Sequence, residues 1–180
     1  MRNPPEGHPL SRLFAGLTEQ TFLTQLGMAD PQLVDYLSAL LSRFVHTDAI
    51  YRLPDGHGAS LTALGQMVAE ADALPDGGRT KREYFRHVGD VALFWTGLFP
   101  EAISRDWQTW GRHAVQNYTC FGKRSYLLAS QYEAEPFQNE APVLRRLSEQ
   151  FEICATGLRE VRREWQEMAS ELPPGAGLIQ

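Results

Sequence analysis

The stretch TKREYFRHVGDVALFWTGLF, from Thr80 to Phe99, decides the fold of this chain. Apolar side chains recur in it at alternating steps of four and three residues, at Tyr84, Val88, Val91, Trp95 and Leu98. That spacing follows the period of an α-helix and places these side chains on one face. Thr80 is a favourable residue at a helix start, and Pro100 stops the helix at its other end. The stretch therefore predicts one amphipathic helix.

The same period recurs on both sides of this stretch. Asp30-Pro31 is a helix-start signal, because the carboxylate caps the first turn and proline has no N–H to leave unpaired. Apolar runs predict the other main helices, at residues 31–46, 60–74, 107–132 (as one helix or two) and 142–170.

These elements predict an all-α, single-domain fold. We expect a helical bundle or an orthogonal array of about five main helices over residues 11–171. A flexible N-terminus (1–10) and a flexible tail (172–180) are expected to flank it. One short extended segment is expected near 49–53, before the turn cluster PDGHG.

Four glycines lie inside the predicted helices: Gly89, Gly97, Gly111 and Gly122. Glycine inside a helix costs about 1 kcal/mol relative to alanine. Its repeated use indicates the close approach of another backbone, a kink or a ligand, and of these we favour close packing. A kink near Gly122 is the alternative for the fourth predicted helix.

The composition excludes several classes of protein. Of the 180 residues, 43% are hydrophobic and 22% charged, which is typical of globular proteins and unlike disordered or fibrous chains. Two cysteines are too few for a disulfide framework. With neither a signal-peptide pattern nor an apolar run of about 18 to 20 residues, we expect a cytoplasmic protein without a membrane anchor. The net charge of −5 makes nucleic acid an unfavourable partner.

One polar edge of the central helix carries groups that could do chemistry. At about 100° per residue, Glu83, His87 and Asp90 fall together beside the apolar stripe. Two carboxylates and an imidazole in line could hold a metal or move a proton. The alternative interpretation, a solvated boundary of the helix, is favoured because no second helix with matching ligands is found. The paired Glu-x-x-His elements of di-iron bundles are also absent, and no cofactor is predicted.

A second candidate is the pair Lys123 and Arg124, which follows Gly122 in a sequence similar to the end of a phosphate-binding loop. That pattern fails because Asn117 occupies the position of the first glycine and Arg124 stands where Ser or Thr should follow the lysine. We therefore interpret the pair as a solvated basic patch. The two cysteines lie on or beside apolar stripes, where cysteine usually acts as a small hydrophobic residue, so no nucleophilic site is predicted.

A third candidate is the aromatic pair Trp107 and Trp110, in the first turn of the fourth predicted helix. The surrounding sequence is polar and includes Arg105 and Arg112. Exposed tryptophan beside arginine is typical of contact surfaces between proteins. The pair is therefore a candidate partner-contact site, with packing into the core as the favoured alternative.

Four stretches carry a resemblance to a known family. These are FVHTDAIYR (44–52), RHVGDVALFWTGLFPE (86–101), GKRSY (122–126) and LRRLSEQFE (144–152). They resemble a family of short hypothetical bacterial proteins, and the resemblance covers most of the chain. That family has no established activity, so the resemblance implies a bacterial origin and no mechanism.

Two functional hypotheses follow. The first is a non-catalytic helical module that binds a protein partner or itself. It is favoured by the lack of a complete catalytic constellation and by the nearly heptad-spaced apolar seam of the last predicted helix. The alternative is a small-ligand or metal-binding helical protein, or an enzyme, centred on Glu83, His87 and Asp90.

Overall fold

The computed structural model describes residues 9–46, 61–75, 78–105 and 114–171. Within these ranges the chain forms eight α-helices and one short π-helical turn, and no strand. The helices are α1 (Pro9–Gln20), α2 (Pro31–His46), α3 (Leu61–Ala73), α4 (Arg79–Leu98), α5 (Pro100–Arg105), α6 (Ala114–Ser130), α7 (Ala141–Glu149) and α8 (Phe151–Glu171). The predicted all-α class is therefore confirmed. The extended segment predicted near 49–53 lies outside the described residues.

Several predicted boundaries agree with the structure. Helix α2 begins at Pro31 as expected, and the Asp30 carboxylate caps it by accepting the backbone N–H of Leu33 at 3.1 Å. Helix α1 begins at Pro9, slightly before the predicted domain start at residue 11. None of the described helices is both long enough and apolar enough to cross a lipid bilayer.

Helix α4 is the central element of the fold, because α2, α3, α6 and α8 all pack against it. Between Val88 and Leu98 every residue except Val91 is buried. Leu93 and Phe94, which lie outside the predicted apolar stripe, are 0% and 2% exposed. The helix is thus enclosed on more than one side, whereas its periodicity predicted a single buried face.

Three of the interior glycines lie where helices approach closely, as the sequence predicted. A Cβ atom at Gly89 would lie 2.7 Å from the Tyr126 ring on α6, and one at Gly97 would lie 2.8 Å from Leu158 Cβ on α8. At Gly122 the added atom would overlap the Phe151 ring. Helix α6 continues through Gly122, so this glycine serves close packing and does not end the helix. Gly111 lies outside the described residues.

The predicted single C-terminal helix is wrong in one respect, because the chain forms two helices separated at Gln150. Gln150 leaves helical geometry with φ −110° and ψ 24°. Neither proline nor glycine marks this break in the sequence. Leu147 and Phe151 are both 0% exposed, and the Phe151 ring fills the space left by the missing side chain of Gly122. We attribute the break to tertiary packing of Phe151 rather than to local sequence preference.

Candidate functional site

Asp90 is the centre of a buried polar cluster that joins three helices. Its carboxylate is 4% exposed. Oδ1 accepts hydrogen bonds from the Tyr36 hydroxyl of α2 at 2.6 Å and from the Tyr126 hydroxyl of α6 at 2.9 Å. Oδ2 accepts a bond from Nη2 of Arg43, also on α2, at 3.0 Å. A buried carboxylate needs such donors and a counter-charge, since burying an unpaired charge is very costly.

The sequence brings these groups together by helical spacing and by one glycine. Tyr36 and Arg43 are seven residues apart, so they share one face of α2 across two turns. Gly89, which precedes Asp90, leaves room for the Tyr126 ring against α4. The two tyrosine rings meet edge to face, with centroids 6.4 Å apart. The cluster is therefore an ordered junction of α2, α4 and α6.

Both tyrosines are held in the protonated form. Burial raises the pKa of Tyr36 well above its ordinary value, and the negative charge of Asp90 raises it further. The same two causes act on the pKa of Tyr126, which is also raised well above the ordinary value. The hydroxyls therefore act as donors to the carboxylate across the physiological pH range.

Glu83 belongs to a second cluster, about two turns further towards the start of α4. Oε1 of Glu83 accepts a bond from Arg82 at 2.6 Å, and Oε2 lies 3.0 Å from Arg86. Glu140, which precedes α7, bonds to Arg82 and lies 3.6 Å from Arg86. The Arg82 side chain is 1% exposed, and its guanidinium lies over the Phe137 ring at 4.3 Å. Two arginines and two glutamates thus attach the start of α7 to α4.

Arg86 connects the two clusters electrostatically. Burial alone would lower the pKa of Arg86, but the carboxylates around it raise that pKa. Those carboxylates belong to both clusters: Asp90 on one side, Glu140 and Glu83 on the other. The pKa of Glu83 is lowered, because the attraction of Arg86 and Arg82 outweighs the effect of burial. The polar edge of α4 is therefore one network of alternating charges.

His87 lies between Glu83 and Asp90 along the helix. Burial lowers the pKa of its imidazole, and Arg86 and Arg43 add to this effect against the opposing charge of Asp90. The ring is therefore neutral at physiological pH.

The three residues of the predicted line, Glu83, His87 and Asp90, thus lie in different environments. Glu83 is bound by arginines, and Asp90 by tyrosines and an arginine. No group of three or more His, Cys, Asp or Glu side chains in the described part of the chain is arranged to hold a metal ion. The geometry supports a role in holding helices together more directly than a role as a set of metal ligands.

Sequence reasoning missed the tyrosine and arginine partners of this edge. In the sequence, Tyr126 stands out only as the last residue of the GKRSY stretch, and no pattern singles out Tyr36 or Arg43. A usable signal was present, because an acidic residue at the edge of an apolar stripe requires donors from neighbouring helices if it is buried. Tyrosine on the facing stripe supplies an apolar ring with one polar tip.

The predicted basic patch has ion-pair partners. Lys123 Nζ lies 2.8 Å from a carboxylate oxygen of Glu152 on α8, and Arg124 Nη2 lies 3.1 Å from Asp72 on α3. The four side chains are between 37% and 59% exposed. The patch is therefore solvated, and its charges bridge α6 to α8 and α3. Trp107 and Trp110, the predicted partner-contact residues, lie outside the described residues.

Two surface clefts occur elsewhere on the described part of the chain. One, of about 150 Å³, lies between α1 and α2, and its lining includes Glu19, Leu23 and Asp35. The other, of about 60 Å³, is lined largely by apolar side chains around Trp165. Neither cleft is lined by the polar edge of α4.

The buried cysteine, Cys154, is not an activated thiol. Burial raises the pKa of Cys154 to about 12, so this thiol stays protonated. Cys120 is exposed and forms no disulfide.

Comparisons with known protein families, with curated protein sequences and with solved structures gave no match. The resemblance to a family of hypothetical bacterial proteins therefore stays a prediction.

Proposed function

We propose that this protein is a non-catalytic helical module that binds a protein partner or a second copy of itself. The observation that carries the proposal is that the carboxylates of Asp90 and Glu83 on α4 are bound by side chains within the fold. The Asp90 carboxylate is bound on both oxygens, by Tyr36, Tyr126 and Arg43, and Glu83 is bound by two arginines. Groups used in this way hold helices in place, which suits a rigid scaffold for a contact surface.

The surface offers apolar side chains for such contacts. In the described part of the chain, several large apolar side chains have 43–47% of their area exposed. They are Leu23, Leu127, Ile153 and Met168. Single exposed apolar residues are common on any protein, so a contact role depends on the surroundings of each. Leu23 is distinguished by its position in the lining of the 150 Å³ cleft.

The proposal is tested by sedimentation velocity over about a hundredfold range of protein concentration, together with affinity capture of partners. We expect reversible association, or one defined partner present in stoichiometric amount. Leu23→Ser should weaken the interaction if it uses the cleft, and the control variant Gln166→Ser changes an exposed polar position on α8. A strict monomer with no stoichiometric partner would contradict the proposal.

A second candidate function is binding of a metal or small ligand at the Glu83, His87 and Asp90 edge. It is favoured by His87, whose neutral imidazole lies beside a buried carboxylate. The test compares bound metal and thermal stability with added Zn²⁺ or Ni²⁺ in wild type and His87→Ala. Metal that binds wild type alone would support this function, and absence of both bound metal and stabilisation would exclude its metal version.

A further inference from the structure

The groove between α1 and α2 is formed by one face from each helix. Ala15, Glu19 and Leu23 follow one another at steps of four, along α1 and into the π-helical turn at Thr21–Gln25. The facing wall is the first part of α2, with Val34 at the floor. Val34 is 7% exposed and Leu23 is 43% exposed. The groove therefore has an apolar floor and remains open to solvent.

The rim of this groove is negatively charged. Asp30, Asp35 and Glu19 all contribute to its lining. Asp30 is neutralised, because it caps α2 and its Oδ2 lies 2.7 Å from Nε of Arg146 on α7. Glu19 and Asp35 are exposed and form no ion pair within the described part of the chain. Two uncompensated carboxylates thus flank the apolar floor.

We propose that this groove binds a basic segment of a partner protein by taking up one arginine or lysine side chain with its aliphatic neighbours. The inference rests on the proposed function and names the chemistry of the partner. The volume of about 150 Å³ is that of a cavity able to hold a benzene-sized group, which matches the methylene stem of one such side chain. The stem packs on Leu23 and Val34, and the cationic head reaches Glu19 and Asp35. An anionic segment would be repelled by the same rim.

The test uses two peptides that differ in charge alone. Acetyl-Ala-Leu-Arg-Leu-Ala-amide is compared with the same peptide carrying citrulline, which keeps the shape of arginine without its charge. Each is titrated into the full ¹⁵N-labelled chain, and amide chemical shifts are followed. We expect saturable shifts at the groove, at Ala15, Glu19, Leu23, Val34 and Asp35. The arginine peptide should bind about five- to tenfold more tightly than the citrulline peptide, because its guanidinium meets two carboxylates.

Two double variants test whether Glu19 and Asp35 cause the difference in affinity between the arginine and citrulline peptides. Glu19→Gln/Asp35→Asn should abolish the preference for the arginine peptide and retain the weak binding of the citrulline peptide. Glu133→Gln/Glu149→Gln removes the same net charge from exposed positions outside the groove and should retain the preference. All four positions are exposed, so the fold should tolerate these substitutions.

Equal affinity for the two peptides, shifts confined to another surface, or no saturable binding would each overturn the inference. Groove shifts that depend on protein concentration without peptide would also overturn it, because they would identify a second copy as the occupant. The two proposals fail separately. Peptide binding by a chain that sedimentation and capture show to have no partner would contradict the proposed function and leave the groove's preference for a basic side chain standing. A defined partner whose binding is unaffected by Glu19→Gln/Asp35→Asn would contradict the groove alone.

Discussion

Replacing Asp90 with asparagine tests whether the buried cluster holds α2, α4 and α6 together. The substitution keeps the shape of the side chain and removes its charge. Asparagine retains one carbonyl oxygen, which can still accept bonds from both Tyr36 and Tyr126, since both now bind Oδ1. The lost interaction is the one between Oδ2 and Arg43, whose Nη2 would face an amide N–H₂ group. The perturbation thus removes one direct ion pair, together with the longer-range attraction between Asp90 and Arg86.

The expected cost follows from the burial of that pair. Removing one member of a buried ion pair typically costs about 3–5 kcal/mol. The Arg43 side chain is 16% exposed, so water can partly solvate it after the substitution. We therefore expect a loss near the lower end, about 3 kcal/mol in the free energy of unfolding. For a domain of this size that corresponds to a fall of about 6–12 °C in Tm.

Urea unfolding followed by far-ultraviolet circular dichroism and by tryptophan fluorescence measures this loss. Asp72→Asn is the matched control, because it breaks an exposed ion pair and should cost at most about 1 kcal/mol. Tyr36→Phe and Tyr126→Phe should each cost about 1–3 kcal/mol by removing a donor to the buried carboxylate. Their combined effect should differ from the sum, because both hydroxyls share one oxygen. An Asp90→Asn variant no less stable than Asp72→Asn would refute the role assigned to the cluster.

Three further predictions concern α4 and its neighbours. Gly89→Ala should destabilise the fold by about 1–3 kcal/mol in urea unfolding, because the new Cβ would overlap the Tyr126 ring. Gly65→Ala on α3, with open space around it, should instead stabilise by about 0.5–1 kcal/mol, and equal effects at the two sites would contradict the packing argument. As the pH falls from 6.5, the unfolded chain takes up a proton at His87 before the folded chain does, so wild type should lose stability until the folded pKa is passed. His87→Gln should show a flatter dependence there, and an unchanged slope between pH 7 and 5 would exclude this cause. Arg124→Gln should change the free energy of unfolding by no more than about 1 kcal/mol. A loss above about 1 kcal/mol at high salt would mean that the ion pair between Arg124 and Asp72 is not simply solvated.

Local patterns predicted the helices, because each main helix carries its own apolar period and boundary signals. Asp30 and Pro31 are such signals, and the capping bond to Leu33 confirms them. The break at Gln150 could not be predicted in this way. It arises where Phe151 packs against Gly122, some thirty residues earlier in the chain. The spacing within one helix contains no information about such a contact.

The candidate site was predicted only in part, for the same reason. Helical spacing identified Glu83, His87 and Asp90 as neighbours on one edge of α4. It gave no indication of what faces that edge, because Tyr36 and Tyr126 come from α2 and α6. A buried carboxylate reveals its role through its donors, and those donors are distant in sequence. The alternation of arginine and glutamate in the second cluster likewise appears only once α7 is placed against α4.

This arrangement also constrains the metal hypothesis. A metal ion at the Glu83 and Asp90 edge would have to displace arginine and tyrosine donors that now occupy the carboxylates. The displaced Tyr126 hydroxyl would then be buried without its acceptor, which costs about 1–3 kcal/mol. Metal binding should therefore loosen the contact between α4 and α6 and change the near-ultraviolet spectrum of the tyrosines. Bound metal without any such spectral change would place the metal elsewhere, whereas a change lost in His87→Ala would place it on this edge.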